Sequence, residues 1–265
     1  MRHYKYNNLG NPLWNPLHGN LWSPFSGSAL ANGGSEPAFD PATLFTGGKK
    51  GIWIKPRDWS TLKQSYLGTT DVTVATDPVG YAADQSGNAV NMVNANSPGR
   101  PLAITVGGVN AIDLDGTDDK LVSGSVSVST WVSMDFFMAV YVDSASTLMF
   151  ANDGFSNYFG VAQNGSASAA SAASGSPIYK VNGAAVLGGT AATRDQVYDA
   201  MSFGQWVIFE ANGLGLSLWT ALEFGAYSGF QINGKIAELI LCESVSDAVR
   251  AQVRTYMGAA VGLTI

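Results

Sequence analysis

The sequence is short of charge, of sulfur and of imidazole. Asp, Glu, Lys and Arg make up 13% of its 265 residues, about half the share usual in a globular domain. A surface that is polar but weakly ionic costs less to desolvate, which suits a chain partly covered by neighbouring subunits. The single cysteine, Cys242, excludes an intrachain disulfide. Flanked by Ala237, Leu239, Ile240 and Leu241, it reads as a buried, inert thiol. The histidines are His3 and His18 alone, so a Ser-His-Asp triad or a His-ligated zinc in the body of the chain lacks its imidazole. No apolar run approaches the roughly 18 residues of a membrane span. Met1 to Tyr6 is polar with no apolar stretch behind it, so no signal peptide is expected and synthesis in a cytoplasm is.

What charge there is divides unevenly. Residues 1–65 carry seven Lys or Arg (Arg2, Lys5, Lys49, Lys50, Lys55, Arg57, Lys63) against three acids, and the remainder seven against seventeen. A basic leading segment on an acidic body points to docking on something acidic, an identical neighbour or a shell protein. The bases are too scattered for nucleic acid, which calls for a dense patch. Residues 1–50 show no helical or strand period, being broken at Asn11-Pro12, Asn15-Pro16, Ser23-Pro24 and Asp40-Pro41. Large side chains are nevertheless interleaved, and Leu13-Trp14-Asn15-Pro16-Leu17 returns eight residues later as Leu21-Trp22-Ser23-Pro24-Phe25. Bulky groups on a stiff extended backbone lose little entropy on docking. Leu13, Trp14, Leu17, Leu21, Trp22 and Phe25 are therefore candidate anchors, seated either on the chain's own domain or on another subunit.

Residues 51–101 read as a connector that packs with the domain C-terminal to it. Ile52-Trp53-Ile54 is a short strand stopped by Pro56, and turn chemistry dominates at Asp77-Pro78, 84–88 and 97–101. Residues 102–265 read as repeated strands. Ile112 and Leu114 alternate with aspartates, Val126 and Val128 with serines, and 136–142 is apolar on both faces like a central strand. Asn182-Gly183 accepts the positive φ angles of a type I′ hairpin turn. Further strands are expected at 206–210, 214–218 and 236–241, with the Gly, Ala and Ser of 165–175 as a loop or flat strand. One C-terminal helix is expected, capped by Ser246, with Val249, Val253, Tyr256 and Met257 at helical spacing. The whole predicts a mainly β fold, a two-sheet antiparallel jelly-roll sandwich behind an extended arm.

A glycan hydrolase on such a fold needs two carboxylates on one strand face, one to attack and one to protonate. Glu210 and Glu238 stand singly, so hydrolysis is disfavoured and the chain reads as non-enzymatic, without a cofactor. Asp113, Asp115, Asp118 and Asp119 are hard oxygen donors that could hold Ca²⁺. Asp115-Gly116-Thr117-Asp118 reads more simply as a polar hairpin turn whose carboxylates accept from nearby N–H groups. Sugar recognition needs an exposed ring beside amides and carboxylates. Trp131, Trp219, Tyr158 and Tyr227 are rings to weigh against a place in the core, and Asn152, Asp153, Asn157 and Tyr158 form the candidate ligand loop.

Several motifs, in order, resemble the concanavalin A-like (laminin G-like) domains at the C-terminal ends of phage and prophage structural proteins. They are Gly51-Ile52-Trp53-Ile54-Lys55-Pro56, Asp84-x-Ser86-Gly87-Asn88, Arg100-Pro101, Ile112-Asp113-Leu114-Asp115-Gly116-Thr117-Asp118-Asp119-Lys120-Leu121, and Gly234-Lys235-Ile236-Ala237-Glu238 with the Ser246-Asp247 helix. The resemblance spans about residues 51 to 262. It implies a jelly roll that binds carbohydrate or protein in a virion. By that analogy the chain is expected to be a head-decoration or tail-associated subunit, self-associated symmetrically, for instance as a trimer, with other virion proteins as partners. The alternatives are a lectin module for host surface glycan and, more remotely, a polysaccharide-degrading enzyme.

Overall fold

The computed structural model of the chain describes residues 38–123, 128–143, 148–153, 157–171, 175–186, 192–225 and 230–265. The candidate anchors Leu13, Trp14, Leu17, Leu21, Trp22 and Phe25 lie outside the described residues. Phe39–Ile265 forms one compact unit, mainly β, an antiparallel two-sheet sandwich.

Sheet A has eight strands, in the order β12 (Ala184–Ala185), β11 (Ile178–Val181), β13 (Trp206–Leu214), β8 (Met134–Val142), β15 (Asn233–Glu243), β6 (Val109–Asp115) and β5 (Leu102–Val106), with β1 (Gly51–Ile54) also on β15. Sheet B has seven, in the order β10 (Tyr158–Ala162), β9 (Leu148–Asn152), β14 (Glu223–Gly225), β7 (Lys120–Ser123), β4 (Met92–Val93), β3 (Tyr81–Ala82) and β2 (Leu62–Lys63). Residues 51–101 thus supply strands to both sheets. The all-apolar run 136–142 lies in β8, central in sheet A, and Asn182 and Gly183 turn β11 into β12 at φ 50° and 83°.

The core lies between the sheets, where aromatic rings from each meet. Phe136 of sheet A meets Phe159 of sheet B edge-on at 4.9 Å, and Phe150 of sheet B stacks on Phe209 of sheet A at 4.0 Å. Burying each ring stabilises the fold by about 1.5–3 kcal/mol. Two glycines of the resemblance motifs sit where strands approach most closely. A Cβ at Gly51 would run into the Leu241 carbonyl oxygen, and one at Gly234 into that of Tyr141.

Three expectations need correction. The strand expected around Val126 and Val128 is a 3-10 turn, Val128–Thr130, where it is described. The strand expected at 214–218 is absent, because β13 runs on to Leu214 past a bulge at Gly213 and the chain then turns. Beside the C-terminal helix α2 (Asp247–Ala260) there is a further helix, α1 (Arg194–Ala200), among the described residues. Its signal was present: Thr193 and Gln196 form a reciprocal capping box. Within the segment expected as an arm, Leu44 and Phe45 are buried on the outer face of sheet A with Trp53, Met257 and Val261.

Candidate functional site

The outer face of sheet A, beneath α2, holds Glu210 and Glu238, which the sequence showed without the second carboxylate of a hydrolase, together with Asp135. Alternation sends Phe209 and Ala211 inward and Glu210 outward, and likewise Phe136 inward and Asp135 outward. Asp135, Glu210 and Glu238 have no exposed surface. Each is answered by an arginine. Arg254 donates to Glu210 from Nε at 2.5 Å and Nη2 at 3.2 Å, and Arg250 to Asp135 from Nε at 2.8 Å and Nη2 at 3.3 Å. Glu238 accepts from Arg57 Nε at 2.6 Å, from the Trp53 indole at 2.6 Å and from Tyr256 Oη at 3.1 Å. Burial beside Glu238 pushes the Tyr256 hydroxyl up to about 12. These groups fasten a helix and the connector to a sheet. A carboxylate so saturated is poorly placed to attack or to donate a proton.

Part of the basic leading charge is paired in the same way. Arg57 is used by Glu238, Lys63 pairs with Asp71 at 2.5 Å, and Lys55 lies 3.9 Å from Asp58. Of the other described bases in residues 1–65, Lys49 is exposed and Lys50 Nζ donates to the Thr130 carbonyl at 3.2 Å. Cys242 is fully buried, and burial pushes its thiol up to about 12, in keeping with an inert residue.

The four aspartates separate into two sets. Asp113 leaves the cluster to pair with Lys235 at 3.3 Å, and Lys235 also contacts Asp143. Asp115, Asp118 and Asp119 each bring a carboxylate oxygen within 4.8 Å of the others. The turn accounts for the bonds present: Asp119 Oδ2 accepts from the Asp115 N–H at 2.9 Å, and Asp115 Oδ1 from the Thr117 N–H at 2.7 Å. Asp119 is buried, and its carboxyl is pushed up to about 6 by that burial, with the charges of Asp115, Asp118 and Asp113 adding to it against the Asp115 N–H.

The candidate ligand loop leads to a surface that sequence did not reveal. Asp153 Oδ1 and Oδ2 accept from the Asn157 backbone N–H at 3.2 Å and side-chain amide at 2.6 Å, closing the loop on itself. The same amide reaches the Leu218 carbonyl at 3.3 Å, beside a Leu218 side chain that is 69% exposed. Tyr158 pairs with Asn152 in register, and from there a row crosses sheet B strand by strand through Glu223, Val122, Val93, Tyr81 and Lys63. Its neighbours Leu62, Ala82, Met92, Leu121, Phe224, Ala151 and Phe159 all point into the core, so the row faces outward. One end carries Arg194, which stacks over the Tyr158 ring at 5.5 Å and donates to its hydroxyl at 3.0 Å. Near the middle Lys120 lies 2.7 Å from Glu223. Asn152 and Glu223 are themselves buried, whereas Tyr158, Val122, Val93, Tyr81 and Lys63 are half-buried.

The row joins two rings, two aliphatic side chains, an amide and paired charges. Such a surface can hold a ligand with both apolar and hydroxyl faces. Asn152 and Tyr158 belong to it, while Asp153 and Asn157 close the loop alongside. Only the strand registers reveal Glu223, Val122, Val93, Tyr81 and Lys63, since strands of two to four residues carry no readable period. Of the other rings considered, Trp131 and Trp219 are core at 5% and 1% exposure, and Tyr227 lies outside the described residues.

No protein-family model matches the sequence, and no curated protein matches it either. Among solved structures the chain is similar to a Trypanosoma rangeli sialidase in complex with the inhibitor DANA, at 10% identity and a TM-score of 0.43, over 83% of this chain and 34% of that one. A likeness that faint carries no argument about activity.

Proposed function

We propose that the chain is a non-enzymatic structural subunit of a bacteriophage particle, in the head decoration or the tail, held by its leading segment and displaying the sandwich. The observation that supports a structural rather than catalytic part is the fate of Asp135, Glu210 and Glu238, each sealed against an arginine beneath or beside α2. Phage origin, self-association and partners among virion proteins rest on the resemblance of the motifs. Mass spectrometry of purified particles from the encoding phage tests the reading, comparing wild type with a Trp14→Ala/Trp22→Ala variant. The wild type is expected as a particle component, and the variant as soluble but depleted at least about tenfold, a loss of about 1.4 kcal/mol of docking or more. Absence of the protein from particles, or normal incorporation of the variant, overturns the proposal.

A second reading, a lectin module for host surface glycan, is favoured by the outward row on sheet B. A glycan array with the full chain is expected to retain one class of bacterial surface sugar and to lose it on Val93→Arg, a half-buried position in the middle of the row. Silence across the array refutes this reading and leaves the first untouched.

A further inference from the structure

We draw no further inference here: the strongest candidate, the groove of about 370 Å³ at the loop end between Lys50, Trp131, Val132, Ser133, Glu243 and Ser244, carries nothing because nothing in the structure shows what covers it, and the neutral sugar its mixed walls would suit restates an established property of the family the sequence resembles.

Discussion

Replacing Arg254 by alanine removes both side-chain hydrogen bonds of Glu210, a carboxylate with no exposed surface and no other side-chain bond among the described residues. Replacing Arg250 strips Asp135 less completely. Asp135 keeps the Val245 N–H at 3.0 Å, the Gly213 N–H at 3.1 Å and the Ser244 hydroxyl at 3.2 Å. Removing one partner of a buried pair costs about 3–5 kcal/mol, most of it for the charge left behind. The retained donors hold the Arg250→Ala loss to about 2–3 kcal/mol, and the orphaned Glu210 takes Arg254→Ala to about 4–5 kcal/mol. Both variants lose a similar aliphatic stem from the same helix, so that loss cancels in the comparison. A difference of about 2 kcal/mol lowers the urea midpoint of Arg254→Ala about 0.7 M below that of Arg250→Ala, for a slope of about 3 kcal/mol per molar. Glu210→Leu combined with Arg254→Met removes both charges and is expected within about 1 kcal/mol of wild type. Equal midpoints for the two arginine variants, or a double variant no better than Arg254→Ala alone, refute the reasoning.

Asp119 ties stability to pH. Its folded carboxyl titrates near 6 against an ordinary 3.8, so the folded state holds the proton longer, and this contribution is full below pH 4 and lost as pH rises through 6. Asp119→Asn keeps an oxygen for the Asp115 N–H and drops the charge. The shift sets a ceiling of about 3 kcal/mol, which solvent screening at this turn reduces to about 1–2 kcal/mol. Calorimetry is expected to show the variant melting about 4 °C higher at pH 8 and level with wild type below pH 4; a gain independent of pH counts against the titration. Calcium added to wild type is expected to leave the melting temperature unchanged, and a saturable rise would restore the cation site. Gly234→Ala drives a methyl into the Tyr141 carbonyl oxygen, and a loss of about 3 kcal/mol or more is expected in denaturant titration; a wild-type midpoint would show that β15 has slack beside β8.

How much was legible in the sequence depends on whether an element carries its own period. β6 did by its alternation of apolar residues with aspartates, β8 and β15 were legible instead as long apolar runs, and α2 was legible because Ser246 caps a clean helical stripe. The strands β2, β3, β4 and β12 have two residues each and show no pattern until their partners are known. Residues 214–218 misled because Leu214, Leu216 and Leu218 alternate like a strand, yet Leu216 and Trp219 are bent inward by a turn closed from the Trp219 N–H to the Leu216 carbonyl. The ion pairs of Glu210 and Glu238 were not legible because their arginines lie 44 and 181 residues away.

The motifs behind the family resemblance meet in one framework. Asp84 accepts from the Trp53 N–H at 2.9 Å and holds β1, Gly51 admits β1 beside β15, and Gly234 admits β15 beside β8. Glu238 gathers Trp53, Arg57 and Tyr256, while Ser246 starts α2 and Arg250 returns it to Asp135. Each of these residues answers a steric or electrostatic demand of the sandwich itself, so each must be present whatever the sandwich meets. They therefore speak to architecture and are silent on ligand. The row from Lys63 to Tyr158 is under a weaker demand, since an outward side chain on a sheet needs only to tolerate its neighbours. On the lectin reading, substitution along Tyr81, Val93 and Val122 is expected to alter what the chain binds, whereas substitution at Gly51, Asp135 or Arg254 alters whether there is a sandwich to bind it.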